Sequence, residues 1–150
     1  MTEIFFYQLK GQSLEQVLPP LIQKSLERGW RVAIQAASDE RVEALDAHLW
    51  TWRDDAFLAH GTWRDAEAAQ QPVLLTVNDT NPNGAAVRFV VDGVDVPGDA
   101  AAYQRVVMLF DGEDPDALET ARARRSKAKE EGFEVAYWLT DKDGRWQRQA

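Results

Sequence analysis

The stretch from Ile4 to Leu49, IFFYQLKGQSLEQVLPPLIQKSLERGWRVAIQAASDERVEALDAHL, decides the fold. Ile4 to Leu9 is almost wholly apolar over the length of a strand, the pattern of a strand covered on both faces. After Gly11, Ser13 and Gln16 form a capping box, and Leu14, Val17, Leu18, Leu21, Ile22 and Leu26 recur at helical spacing as far as Gly29. Pro19 and Pro20 fall inside this run. Each lacks an amide hydrogen and crowds the preceding turn, which predicts a kink or a restart. Trp30 to Ala36 reads as a second strand, and Ser38 caps a second helix whose inner stripe is Val42, Leu45 and Leu49. Strand, helix, strand, helix implies crossover connections and a parallel sheet. The expected class is therefore α/β, a mixed, mostly parallel sheet flanked by helices, with residues 1–150 as a single domain.

The remainder fits that frame. Leu49 to Gly61, LWTWRDDAFLAHG, is too irregular for a long helix, yet it crowds Trp50, Trp52, Phe57 and Leu58 around Arg53. Aromatics beside an arginine are enriched at the centres of protein interfaces, although they also serve to cover a helix end. Thr62 to Pro72 reads as a loop or short helix, and Val73 to Val77 as a buried strand. Asn78 to Gly84, NDTNPNG, is dense in turn formers, and Asn83-Gly84 suits a tight hairpin. Val87 to Val91, Arg105 to Phe110 and Phe133 to Leu139 are further strands, and Arg145 to Gln149 is a short, charge-protected edge strand.

Charge singles out one segment. Arg122, Arg124, Arg125, Lys127 and Lys129 fall within Asp114 to Gly132, DPDALETARARRSKAKEEG, on a chain of net charge -8. Asp114 as cap, Pro115 at the first helical position and Gly132 as a left-handed terminus mark this segment as a helix. At 100° per residue Ala117, Ala121 and Ala128 form its packed side. Leu118, Arg122, Arg125 and Lys129 run along one margin, with Arg124 and Lys127 on the other. Composition alone reads such a row as a solvated face at the end of a helix where the dipole favours cations.

The sequence argues against several functions. There is no cysteine, hence no disulfide, thiolate nucleophile or cysteine-bound zinc. No phosphate-cradling glycine loop accompanies Asp92 and Asp111, which close two apolar strands. A nucleotide-dependent or magnesium-dependent enzyme built on these two aspartates is the rival reading. His48 and His60 stand apart, and no metal or cofactor is expected. Ser13 and Ser38 are helix caps. The acidic balance disfavours broad contact with DNA phosphates, so DNA would be met only indirectly; tryptophans stacking on single strands are a third reading. No apolar run reaches the roughly 20 residues needed to cross a bilayer, and no signal peptide is apparent, so a cytoplasmic location is expected.

Taken together, IFFYQL, GWRVAIQAASDERVEALDAHLWTWRDDAFLAHG, QPVLLT with PNGA, VVMLFDGEDPDAL and RARRSKAKEEGFEVAYWLTDKDGRWQ resemble the chi subunit of bacterial DNA polymerase III holoenzyme over nearly the whole chain. The resemblance implies a Rossmann-like domain without nucleotide chemistry. It further implies a non-catalytic accessory subunit of the clamp loader that binds the acidic C-terminal tail of single-stranded DNA-binding protein. In some lineages the family also bridges to a psi subunit. By position, Arg122 matches the family's tail-binding arginine. Arg125 stands where the family often has an aromatic, and Ser126 where it has a basic residue. Trp50 and Phe57 match positions that contact psi, with Trp52 and Arg53 beside them. The tail site implied for this chain is Arg122, Arg125 and Lys129, with Arg124 adding positive potential.

Overall fold

The computed structural model describes residues 2–51, 59–141 and 143–149. Its strands are β1 (Glu3–Leu9), β2 (Val32–Gln35), β3 (Gly61–Thr62), β4 (Val73–Thr76), β5 (Val87–Val90), β6 (Arg105–Asp111), β7 (Glu134–Thr140) and β8 (Trp146–Gln149). The helices are α1 (Leu14–Glu27), α2 (Asp39–Thr51) and α3 (Pro115–Glu130). The strands make one sheet in the order β3-β4-β2-β5-β6-β1-β7-β8. Every pairing is parallel except β7 with β8. This is the expected α/β class with a mostly parallel sheet. Among the described residues no helix is long and apolar enough to cross a membrane.

Alternation along the strands splits the core into two layers. Phe5, Tyr7, Ile34, Phe89 and Val107 face α1 and α2. Ile4, Phe6, Ala33, Val106 and Met108 face the α3 side, where Ala121 and Ala128 are buried. The two small side chains let α3 lie close over β6, β1 and β7. Asp114 caps it by accepting from the Asp116 amide at 3.0 Å, and Gly132 ends it at φ +89°, a conformation that residues with a Cβ rarely adopt.

One local expectation is narrowed and another overturned. Of the kink or restart expected at Pro19 and Pro20, the restart does not occur, since helix α1 runs unbroken through both. The carbonyl that Pro19 leaves without an amide donor belongs to Glu15, and His48 Nε2 on α2 lies 2.7 Å from it. Packing between helices thus supplies the missing partner. Nor do Asn83 and Gly84 turn a hairpin, because β4 and β5 lie on opposite sides of β2, each parallel to it. Residues 77–86 instead carry a helix-free crossover. It is pinned where the Asn83 amide donates to the carbonyls of Val32 (3.1 Å) and Gln71 (3.0 Å). The 3-10 turn at Ala68–Gln70 falls within the stretch read as a loop or short helix, whereas β3 and the 3-10 turn at Ala100–Ala102 went unread in the sequence.

Candidate functional site

Helix α3 divides its cations between two margins. Arg124 turns toward the link between β5 and β6, where its Nε meets Asp95 Oδ1 at 3.1 Å and its Nη1 donates to the Val94 carbonyl at 3.1 Å. Lys127, on the same margin, lies 3.9 Å from Glu131. These two are therefore partnered by the chain's own acceptors, and Arg124 does not join the row formed by Arg122, Arg125 and Lys129. A small cavity of about 190 Å³ opens between this margin and Val96 and Pro97.

The other margin differs. Among the described residues Arg122, Arg125 and Lys129 make no ion pair. The Arg125 guanidinium carbon stands 4.9 Å from the centre of the Tyr137 ring. Tyr137 is buried, and its hydroxyl donates to Gln8 Oε1 at 2.7 Å. Burial raises the Tyr137 phenol above its ordinary pKa, opposed by the nearby charges of Arg125 and then Arg122. On this face of the sheet Tyr137 and Leu139 are opposed by Gln149 and Gln147 of β8. Leu139 is half-buried and both glutamines are exposed. Tyr137 and Leu139 thus lie on the face of the sheet that α3 covers, with Arg125 over the Tyr137 ring and the amides of the edge strand beyond them.

A second concavity, of about 930 Å³, lies at the carboxyl ends of β1, β5 and β6, where open α/β sheets commonly bind ligands. Asp92 and Asp111 both line it, so the fold does bring this pair to one cleft. Each already has a structural task. Asp92, at φ 59°, receives Arg41 Nε at 3.2 Å, while Asp111 Oδ1 accepts from the Glu113 amide at 2.9 Å and shapes the turn into α3.

The histidines are also engaged. His60 is buried, with Nε2 3.0 Å from Asp46 Oδ1, and His48 serves α1 as described. No group of three or more potential metal ligands occurs among the described residues. Trp50 is the one large hydrophobic exposed among them, at 49%, with its ring centre 4.1 Å from that of His60. Trp52, Arg53 and Phe57 lie outside the described residues.

A family model described as DNA polymerase III chi subunit, HolC, matches residues 1–136. A probable DNA polymerase III subunit chi of Rickettsia prowazekii (strain Madrid E) is 26% identical over 96 residues, 64% of this chain and 58% of that protein. That match spans little more than half of the relative's length. The DNA polymerase III subunit chi of Pseudomonas aeruginosa is 26% identical over 136 residues, 89% of this chain and 93% of that protein.

Proposed function

The chain belongs to the DNA polymerase III chi subunit family, and from that premise we propose that it tethers the polymerase to single-stranded DNA-binding protein. Family membership gives it an accessory place in replication. The finer reading is that the Arg122, Arg125 and Lys129 margin of α3 receives the acidic C-terminal tail of single-stranded DNA-binding protein. The observation that carries it is the contrast between the two margins of one helix. Arg124 and Lys127 are partnered within the chain, whereas among the described residues Arg122, Arg125 and Lys129 pair with no carboxylate, and Arg125 lies over the Tyr137 ring. On a molecule of net charge -8, three unneutralised cations in a row favour an anionic partner.

In this reading the protein is non-catalytic, works in the cytoplasm and meets DNA only through its partner. Charge speeds encounter with the tail, and burial of its last apolar side chain slows release. Trp50 with Phe57, Trp52 and Arg53 forms the second interface, toward psi or the clamp loader. Exposure of Trp50 supports this, since large aromatics anchor protein interfaces.

Calorimetric titration with a tail peptide tests the proposal. Arg122→Ala is expected to weaken binding about tenfold, the value of one charge-assisted hydrogen bond, and Arg122→Glu to abolish it nearly completely. Wild-type affinity should fall as salt is added. Equal affinity for wild type and Arg122→Glu overturns the site. An affinity indifferent to salt moves the contact to an apolar surface such as that around Trp50.

A further inference from the structure

We propose that the cleft at the carboxyl ends of β1, β5 and β6 binds a small organic cation, an ammonium or guanidinium group carried on an apolar body. Its volume of about 930 Å³ lies within the range of small-molecule sites, roughly 300–1,000 Å³. Phe6, Leu9, Val90 and Met108 line it and are buried, and the small side chains of Ala117 and Ala121 keep α3 from filling it. An apolar base of this kind favours a ligand that brings hydrocarbon as well as charge.

The charge lining the cleft is one-sided. Its two arginines are already paired within the chain, Arg41 with Asp92 at 3.2 Å and Arg124 with Asp95 at 3.1 Å. Asp111, Glu113 and Asp116 also line it, and these three exposed carboxylates make no ion pair among the described residues. An independent observation points the same way. Gln12 stands on the wall of the cleft, and its Oε1 is shut from solvent with no donor to meet it. A small turn of this half-buried side chain presents the acceptor to a ligand, and an ammonium or guanidinium N–H is the donor it lacks. Anions, by contrast, find no seat. In open α/β folds a cleft at this position holds phosphate on the free amides of a helix start. Here the Asp114 carboxylate accepts from the Asp116 amide at 3.0 Å, and at the head of α1 Ser13 Oγ accepts from the Gln16 amide at 3.2 Å. The chain's own side chains therefore occupy both helix starts, and the carboxylates beside them repel a second negative charge.

The test keeps the apolar body constant and changes the charge. Phenethylamine, phenethyl alcohol and phenylacetate are titrated separately into the intact protein, and nitrogen–proton correlation NMR follows the amides of Gly11, Gly93 and Ala117, all on the cleft wall. Phenethylamine should bind about fivefold more tightly than the alcohol, the upper value for an ion pair between exposed groups, and phenylacetate should bind least. Asp111→Asn combined with Glu113→Gln should abolish the lead of the amine over the alcohol. The asparagine keeps the Oδ1 that accepts from the amide of residue 113, so the turn into α3 survives, and the remaining resonances report that the fold is intact. Gln12→Leu removes the unmet acceptor and should shrink the same lead, as should added salt in the wild type. The assignment is overturned if phenethylamine leaves these amides unmoved, if phenylacetate binds as tightly as the amine, or if either the paired change or Gln12→Leu leaves the lead of the amine intact.

Discussion

At the scale of single residues the most demanding side chain is Arg88, completely excluded from solvent in the middle of β5. A buried charge is tolerable only where its hydrogens are all placed. Here Nε and Nη2 donate to Gln35 Oε1 at 3.1 and 2.8 Å, and Nη1 to the Thr80 carbonyl at 3.0 Å and the Tyr103 hydroxyl at 3.1 Å. Nη2 also donates to the Asn78 carbonyl. The guanidinium thus fastens β2, the crossover after β4 and the segment before β6 to one another. Arg88→Ala is expected to cost about 3 kcal/mol or more, since several buried acceptors lose their donor together. Arg88→Lys should recover only part of this, because three donors from one atom cannot reach so spread a set. Urea denaturation measures both. A loss within about 0.5 kcal/mol, the range of an ordinary surface change, would remove Arg88 from its structural role. The sequence showed only an apolar run, VRFVV. Its one clue was that each of two otherwise apolar strands carries a single long polar residue, Gln35 in one and Arg88 in the other.

At the scale of elements, the two prolines inside α1 test how a helix survives lost hydrogen bonds. If His48 replaces the donor that Pro19 lacks, the two positions are energetically coupled. His48→Ala should destabilise wild type by about 1 kcal/mol, whereas in a Pro19→Ala background, where an amide returns to the Glu15 carbonyl, it should cost clearly less. Chemical denaturation of the four proteins closes the cycle. Additive losses would mean that the contact of His48 with Glu15 contributes nothing through that carbonyl. The same pair marks the limit of what could be read locally. Capping signals at Ser13, Ser38 and Asp114 placed all three helix starts correctly, because a cap is a contact between neighbours in sequence. Whether Pro19 breaks α1 depends on a residue 33 positions away from Glu15, and that Asn83 pins a crossover depends on β2 lying between its flanking strands. Neither is written in the local pattern. For the candidate site, helical phase separated Arg124 and Lys127 from Arg122, Arg125 and Lys129. The ring beneath Arg125 could not be found that way, since Tyr137 reaches it only through the pairing of β7 beside β1.

At the scale of the whole molecule, an acidic surface encloses phenols that resist ionisation. Burial raises the pKa of Tyr7, Tyr103 and Tyr137 above the ordinary 10.0, in each case against the opposing charge of an arginine, Arg105, Arg88 and Arg125 respectively. Such a phenol holds its proton more tightly when folded than when unfolded. Its contribution is complete below about pH 10 and is lost as the pH climbs from there through the raised native value. The direction is reinforced by the net charge of -8, since each tyrosinate adds negative charge to a molecule already repelling itself. Thermal midpoints at constant ionic strength should therefore hold level up to about pH 9 and then fall steeply, in step with tyrosinate absorbance in the ultraviolet. Tyr7→Phe isolates the cause, because the Tyr7 hydroxyl makes no hydrogen bond among the described residues, whereas those of Tyr103 and Tyr137 do. Its ring contacts with Trp138 and Trp146 are kept by phenylalanine. The variant should match wild type near neutrality and fall less steeply in alkali. Parallel curves for the two proteins would show that Tyr7 has no part in the alkaline transition.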